Sequence, residues 1–430
     1  MKRSQMALCA MLAVSASAWA GGDTQFYLHG GDKVVFYGDS ITEQRMYSNI
    51  LETFVATRYP DLNVSFVNSG WGGDTVHGGG GGTIDTRLNR DLFPYQPTVV
   101  TILLGMNDGG YHAENAENDQ KYFSGYTYIV DTVRKTLPQA RIVALEPTPY
   151  DEVTRPPAFP VADGVAYNQA LRSYGKWIEN YADQAGLETI DLNTPMVEML
   201  KQADTLDPET AKQIIPDHIH PSFGGHLVMA AEILKAWHAR PVVSSVVLDA
   251  ARSTPRVESA QFTKISQLSK TDGITWTELD TSLPLPFRQW QDMWGGGATV
   301  GLAIRSSDTP SSMNQEILKV RGLKRGTYSL KIDGTSIGAF NDDQLSAGIN
   351  LALLKTPATD QAMKVYQMAV THEEIHFDRW RNIQVPLDED HLAQTKAAMD
   401  SLDAVDDAVA AKMREAAQPV PHQFQLVPVV

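Results

Sequence analysis

Five consecutive residues near the start of the chain, Gly38-Asp39-Ser40-Ile41-Thr42, place a hydroxyl where it could act as a nucleophile. They follow the apolar run 34–37, which predicts a buried strand. They precede residues 43–58, whose apolar side chains recur at helical spacing. Ser40 is therefore expected on a tight turn between a strand and a helix, beside peptide N–H groups that can bind an anion. A serine that merely caps the helix would fit this segment alone equally well.

Residues elsewhere in the chain could complete an acyl-transfer site, which needs a base, an orienting group and donors for the oxyanion. His220 can take the serine proton, and Asp217, three residues earlier, can hold the imidazole tautomer. The chain order Ser, Asp, His occurs in other α/β folds with this chemistry. The backbone N–H groups of Ser40 and Gly73 and the side-chain amide of Asn107 could form the oxyanion hole. The predicted chemistry uses no cofactor and no metal.

Four sequence blocks carry a resemblance to the SGNH hydrolases, also called the GDSL esterase/lipase family. The blocks are Gly38-Asp39-Ser40, Asn68-x-Gly70-x-x-Gly73-Asp74, Gly105-x-Asn107-Asp108 and Asp217-x-x-His220-Pro221. Each block alone is a weak signal, but the four stand in the family's order over residues 33–226. The resemblance implies a flavodoxin-like α/β/α sandwich with a parallel sheet, and ester hydrolysis through an acyl-enzyme. It implies nothing specific about residues 242–430.

The same part of the chain alternates between predicted strands and helices. Besides the strand before Ser40, strands are expected at 64–67, 98–104, 141–145 and 188–192, and helices at 120–136, 163–185 and 222–239. This alternation predicts a doubly wound α/β sheet. The motif glycines fall after successive strands, at the carboxyl edge where such sheets bind ligands.

We divide the chain into a signal peptide at 1–20, a hydrolase domain at 21–240, a mainly β accessory module at 241–355 and a helical C-terminal region at 356–430. The module is expected to be a small sandwich, since short alternating segments recur at 243–248, 274–279, 299–304, 317–320 and 328–332. The last helix is expected to pack on the same protein through one apolar face, formed by Leu392, Met399, Leu402, Val405 and Met413.

The N-terminus predicts export. Lys2 and Arg3 precede a short apolar stretch at 6–18, and Ala18-Trp19-Ala20 fits a cleavage site, so we expect a secreted or periplasmic protein. Cys9 is the one cysteine and lies in this segment, so no disulfide is expected after cleavage. No stretch is long and apolar enough to predict a membrane span. The formal net charge of −15 disfavours nucleic acid as a partner.

Other interpretations of the polar residues stay open. Asp217, His218, His220 and His226 could be taken for a metal cluster, although one loop gives poor geometry for it. His77 and His112 are expected at the surface or beside the substrate rather than in catalysis. Trp71 could cover the edge of the core, or it could line an acyl or sugar pocket together with Met106.

The most specific function that the sequence supports is removal of short acyl groups, above all acetyl, from a carbohydrate. One alternative is a lipolytic esterase or thioesterase for longer chains. Another is a polysaccharide-binding surface protein with an accessory hydrolase domain. A fragment ending near residue 240 is expected to keep activity on small soluble esters. The acyl group, the alcohol and the oligomeric state are left open by the sequence.

Overall fold

A computed structural model describes residues 25–156, 166–293, 295–387 and 392–429, so the predicted signal peptide lies outside the described residues. The strands of the described chain are β1 Lys33–Gly38, β2 Ser65–Gly70, β3 Gly78–Gly79, β4 Gly82–Thr83, β5 Val99–Leu103, β6 Arg141–Leu145, β7 Glu188–Ile190, β8 Val242–Asp249, β9 Arg256–Gln261, β10 Thr263–Lys270, β11 Ile274–Asp280, β12 Gln315–Arg321, β13 Thr327–Ile332, β14 Thr335–Asn341, β15 Ile349–Asn350 and β16 His422–Pro428.

The α-helices of the described chain are α1 Ser40–Glu43, α2 Met46–Arg58, α3 Ile84–Asp91, α4 Ala116–Thr136, α5 Tyr167–Ala185, α6 Asn193–Leu206, α7 Pro208–Ala211, α8 Phe223–Ala236, α9 Phe287–Gln291, α10 Gly297–Ser306, α11 Thr309–Met313, α12 Asp342–Ala347, α13 Pro357–Phe377, α14 Val385–Leu387 and α15 Ala393–Ala416. Short 3₁₀ turns lie at Phe93–Tyr95 and Leu351–Leu353. A π-helical segment, Asp378–Gln384, joins α13 to α14.

The first part of the chain forms a parallel sheet in the order β2-β1-β5-β6-β7. Strand β5 is buried along its whole length, as expected for a parallel strand covered on both faces. Strands β3 and β4 pair with each other as a separate small hairpin. The strand order is that of flavodoxin-like folds, so the fold predicted from the sequence is confirmed.

Helix α2 is enclosed within the structure rather than lying at its surface. The helix predicted at 43–58 divides at Arg45, whose φ of 58° breaks the helical path between α1 and α2. Almost all of α2 is buried, because it contacts both α8 and the C-terminal helix α13. Helix α13 therefore packs on the part of the chain that contains the parallel sheet, although it is distant from it in sequence.

The predicted β module is a sandwich of two sheets, in the orders β10-β11-β16-β13-β14 and β15-β12-β8-β9. Its core is separate from that of the parallel sheet and includes Trp276, Leu318, Leu330 and Leu426. Strand β16 lies between β11 and β13. The region 356–430, predicted as helical, therefore ends in a strand, because the alternating residues after α15 pack into this second core.

The strand predicted at 299–304 is wrong, since these residues form helix α10. Val300 and Leu302 are buried in the same core as the residues of the parallel sheet. Helix α10 approaches α8 so closely that a Cβ on Gly224 would lie 2.5 Å from the Thr299 carbonyl oxygen. The β-branched residues of this segment suggest a strand, but docking on α8 decides for a helix.

The apolar face predicted for the last helix is partly right. Met413 is buried in a small cluster with Val365 and Ala369 of α13, whereas about half of Leu392 and Val405 is exposed. Helix α15 thus packs on α13 through its C-terminal half. Within the described ranges, no helix has the length and apolar character needed to cross a membrane.

Candidate active site

Ser40 is the first residue of α1, directly after strand β1. The side chain of Asp39 caps the helix, because its Oδ1 accepts a hydrogen bond of 2.9 Å from the Ile41 N–H. Burial raises the pKa of Asp39 to about 8. A Cβ on Gly38 would lie 2.6 Å from the Leu103 carbonyl oxygen, so only glycine fits at the end of β1. The half-buried hydroxyl of Ser40 thus stands at the carboxyl edge of the parallel sheet.

His220 and Asp217 come from the loop between α7 and α8, and they complete a hydrogen-bonded chain with Ser40. His220 Nε2 lies 2.7 Å from Ser40 Oγ. His220 Nδ1 donates to Asp217 Oδ2 at 2.6 Å. Because the carboxylate accepts a hydrogen bond from Nδ1–H, it holds the proton of the neutral ring on Nδ1 and leaves Nε2 free to accept the serine proton.

Backbone hydrogen bonds fix the carboxylate of Asp217. Its Oδ1 accepts from the N–H groups of Ile219 and His220 at 3.0 and 2.7 Å. Partial burial alone would raise the pKa of Asp217, but the hydrogen bonds from the backbone and side chain of His220 outweigh it and hold the pKa below its usual value. The carboxylate therefore stays ionised, as an orienting group for the imidazole must.

The two other predicted donor groups lie in loops at the same sheet edge. Gly73 has a φ of 79°, and a Cβ there would meet open space, so glycine is needed for the backbone angle rather than for packing. Asn107 is held at both ends of its amide. Its Nδ2 donates to the Asp74 carbonyl at 2.9 Å, and its Oδ1 accepts from the Tyr111 hydroxyl at 2.9 Å.

Trp71 and Met106 offer little surface to a ligand. Met106 is 1% exposed and packs in the core, and Trp71 is 8% exposed. The guanidinium of Arg381 lies 3.1 Å from the centre of the Trp71 ring. The structure therefore puts a cation from the C-terminal region on the ring that the sequence had left available for an acyl group or a sugar.

The histidines that suggested a metal cluster point to different partners. His218, with a φ of 71°, donates from Nδ1 to the Asp151 carbonyl at 2.6 Å. His226 is fully buried, donates to Gln44 Oε1 at 2.8 Å, and has its pKa lowered to about 3 by burial. Searching the described residues finds no group of three or more His, Cys, Asp or Glu arranged to hold a metal ion. His77 and His112 are exposed.

Several residues that lie beside the site were not predicted from the sequence. Arg87 is buried and donates from Nε to Asp74 Oδ2 at 2.6 Å, while its Nη1 pairs with Asp91. Trp380, in the π-helical segment, donates to Asp91 Oδ1 at 2.6 Å. The acidic ending of the second block could have predicted a buried cation near Asp74, but no sequence pattern predicts which arginine fills that place.

Comparisons with known proteins agree with this geometry. The family described as GDSL-like Lipase/Acylhydrolase matches residues 36–228, which contain all four blocks. An acetylxylan esterase from Geobacillus stearothermophilus is 24% identical over 223 residues, which are 48% of this chain and 93% of that esterase.

Among solved structures, the fold of a gut microbial diltiazem-metabolizing enzyme is similar with a TM-score of 0.79 at 27% identity, over 95% of this chain and 100% of that chain. This likeness extends through the sandwich and the C-terminal helices. An acetyl xylan esterase structure covers 47% of this chain and 98% of its own, with 19% identity and a TM-score of 0.37. Residues 36–228 therefore belong to the GDSL-like lipase/acylhydrolase (SGNH) family, and the chain is an ester hydrolase.

Proposed function

We propose that this esterase removes acetyl groups from a carbohydrate, with Ser40 as nucleophile, His220 as base and Asp217 as orienting group. The hydrogen-bonded chain from Asp217 through His220 to Ser40 is the observation that carries the proposal. The 2.7 Å distance from Ser40 Oγ to His220 Nε2 suits proton transfer from the serine to the ring, and the 2.6 Å bond to Asp217 keeps the ring in the orientation for it.

In the acylation step, Ser40 Oγ attacks the carbonyl carbon of the ester while His220 Nε2 takes the hydroxyl proton. The same proton then passes to the leaving alcohol as the bond from the carbonyl carbon to the alcohol oxygen breaks. Water, deprotonated by His220, then attacks the carbonyl carbon of the acyl-enzyme. The bond from that carbon to Ser40 Oγ breaks, His220 returns the proton to Ser40 Oγ, and the acid leaves. Asp217 stabilises the imidazolium that forms in both steps, because it is ionised and hydrogen-bonded to Nδ1.

The negative charge on the carbonyl oxygen needs donors that are already in place. We assign this role to the backbone N–H groups of Ser40 and Gly73 and to the amide of Asn107. One N–H of that amide is engaged with Asp74, which leaves the second for the oxyanion. Because both ends of the amide are fixed, little reorganisation is needed as the charge develops.

The small exposed surface of Trp71 and Met106 supports a short acyl group. Each CH₂ buried in an apolar pocket would add about 0.8 kcal/mol, so a lipase gains with chain length. The two side chains present no open apolar face that would give such a gain. The similarity of 48% of this chain to an acetylxylan esterase supports acetyl as the acyl group and a carbohydrate as the alcohol.

The location is proposed on the sequence alone. The basic, apolar and small-residue pattern at 1–20 supports cleavage of a signal peptide and export. Intact-mass measurement of the protein recovered from the exporting host would test this, with a start at Gly21 as the expected result.

A substrate series tests the function. p-Nitrophenyl esters from acetyl to octanoyl would be compared with acetylated xylan, using Ser40→Ala as the control. We expect kcat/KM to be highest for acetyl or propionyl and to fall by octanoyl, and we expect acetate release from the polymer. Ser40→Ala should stay folded and lose about 10³-fold or more in activity. A preference for octanoyl would instead support the lipolytic alternative, and an active Ser40→Ala variant would remove Ser40 as nucleophile.

A further inference from the structure

We infer that Arg381, which lies far outside the family-matched residues, positions the backbone loop that supplies the oxyanion donor. The oxyanion loop is defined here as residues 70–74. The inference rests on the proposed function, in which the Gly73 N–H binds the oxyanion. The π-helical segment Asp378–Gln384 would thus contribute to the reaction, although it lies outside the four sequence blocks.

Arg381 contacts the oxyanion loop in two ways. Its guanidinium carbon lies 3.1 Å from the centre of the Trp71 ring. Its Nη2 also lies 3.2 Å from Glu43 Oε1, and Glu43 Oε2 accepts a 3.0 Å hydrogen bond from the Gly72 N–H. One side chain thus fixes the ring of residue 71 directly and the peptide of residue 72 through a carboxylate.

The neighbouring residue anchors the segment that carries Arg381. Trp380 is buried, meets Trp71 edge-on with ring centres 5.8 Å apart, and donates to Asp91. Asp91 and Asp74 are both held by the buried Arg87. The oxyanion loop is therefore tied at Trp71, Gly72 and Asp74, and Gly73 is the residue between these ties.

The loop lies close enough to the nucleophile for small movements to matter. A Cβ on Gly72 would be 2.7 Å from Glu43 Oε2 and 3.8 Å from Ser40 Cβ. Hydrogen bonds to a developing oxyanion depend on donor placement, and a displacement of about 1 Å can cost about 10²-fold in rate. Release of the peptide at Gly72 would allow such a displacement of the next peptide, which carries the Gly73 N–H.

The ion pair between Arg381 and Glu43 is a weak source of stability. Their side chains are 22% and 26% exposed, so solvent screens the attraction. The segment is also π-helical, a conformation that is rare and concentrates at functional sites. A role in positioning the oxyanion loop would account for a π-helical segment that brings the guanidinium of Arg381 against Trp71.

Kinetics of Arg381 variants test the inference. We expect Arg381→Ala to lower kcat about 10- to 100-fold on p-nitrophenyl acetate while KM changes less than about 2-fold, because the loop acts on the transition state. Affinity for a boronic acid, which forms a tetrahedral adduct on a serine, should weaken by the same factor as kcat. Arg381→Lys keeps the charge opposite Glu43 but loses the flat guanidinium, so it should recover part of the activity.

Arg379→Ala is the matched control. Arg379 lies in the same π-helical segment, but it pairs with Asp403 and Gln384, which are both outside the hydrolase domain. We expect its kinetics to equal those of the parent enzyme. An equal loss in Arg379→Ala and Arg381→Ala would indicate general damage to the segment and would overturn the positioning role.

A second variant keeps the test decisive if Arg381→Ala fails to fold. Glu43→Gln retains an oxygen that can accept from Gly72 but removes the charge that Arg381 meets. We expect a smaller loss in kcat with unchanged KM. Unchanged kcat in the folded Arg381→Ala or in Glu43→Gln overturns the inference. So does an effect confined to KM for esters that carry an anionic group, because Arg381 would then contact substrate directly.

Failure of the proposed function itself would look different. Labelling of the parent enzyme with a fluorophosphonate, followed by peptide mass analysis, should place the adduct on Ser40. Labelling elsewhere would remove the proposed nucleophile whatever the Arg381 variants do. Labelling at Ser40 together with unchanged kcat in Arg381→Ala would leave the proposed function intact and reject only the inference.

Discussion

The parallel sheet and the β-sandwich are built from similar strand-forming residues, but only the parallel sheet carries the candidate site. In the parallel sheet all strands end at one edge, so the turns after β1, β2 and β5 bring Ser40, Gly73 and Asn107 together. The sandwich is mostly antiparallel, and its strand ends are divided between two edges. The candidate catalytic groups converge where parallel strands end, whereas antiparallel strands place their ends at two different edges of a sheet.

The two regions also differ in how they use the chain. The helices α9, α10 and α11 lie in sequence between sandwich strands, yet they contribute to the core of the hydrolase. Helix α13 covers α2, and the chain then returns to the sandwich as β16. The hydrolase fold therefore depends on residues well beyond position 240. The sandwich depends on strands β8 to β15 and on β16, which follows the C-terminal helices.

Truncation after Arg240 should have the largest effect. It removes Phe287, Trp290, Val300 and Leu302 from the hydrolase core and uncovers α2. We therefore expect an aggregating fragment without a cooperative thermal transition, and not the active fragment that the sequence suggested. Size-exclusion chromatography and calorimetry would check it. A soluble fragment that melts cooperatively and cleaves p-nitrophenyl acetate at the parent rate would contradict this view of the two regions.

Phe424→Ala should damage the sandwich and spare the chemistry. The Phe424 ring is buried and stacks on Trp276 with ring centres 5.0 Å apart. We expect the free energy of unfolding of the sandwich to fall by about 3–5 kcal/mol, measured by urea denaturation, with kcat on small esters unchanged at low denaturant. Val429→Ala, in an exposed position of the same terminus, is the control. A parallel loss of kcat in Phe424→Ala would show that the site depends on the sandwich.

Asn107→Ala should have the opposite pattern. We expect kcat to fall about 10²- to 10³-fold with little change in KM, because the amide acts on the transition state. The free energy of unfolding should change less than in Phe424→Ala, since Asn107 is partly exposed and holds only local hydrogen bonds. Steady-state kinetics and urea denaturation on the same preparation would separate the two quantities. An effect confined to KM would contradict the oxyanion role.

The smallest effect per experimental step is the change in stability with each pH unit that the cap of the first helix produces. Burial raises the pKa of Asp39 to about 8, above the ordinary aspartate value of 3.8. Between these values the folded state binds more protons than the unfolded state, so this group makes the free energy of unfolding fall as pH rises from about 4 to 8. Asp39→Asn keeps an oxygen for the Ile41 N–H but cannot titrate. The stability difference, variant minus parent, should therefore increase with pH, by at most about 1.4 kcal/mol per pH unit.

Urea denaturation of both proteins at several pH values would measure this difference. Asp61→Asn, at an exposed position, is the control and should run parallel to the parent. If the curve for Asp39→Asn also runs parallel to that of the parent, Asp39 is ionised in the folded protein and burial does not raise its pKa.

The four blocks and the alternation of strands and helices were sufficient to predict the parallel fold and the groups that meet at its edge. That part is local in origin. The pattern of consecutive residues predicts a strand, a tight turn at Gly38 and a helix. Parallel strands then bring their carboxyl ends to one edge of the sheet, whatever segments connect them. The sandwich was also predictable, because alternating segments bounded by turn residues predict half-buried strands.

Tertiary contacts decided how the later parts of the chain pack against the parallel-sheet fold. Residues 299–304 have strand-like composition, but they form helix α10, which packs closely on α8 at Gly224, where a Cβ would obstruct it. Arg381 is one of many charged residues in the C-terminal region, and only the packing of α13 on α2 brings its guanidinium onto Trp71. The first of these contacts joins residues about 75 positions apart and the second about 300, and their free energy comes from buried surface that no local pattern encodes.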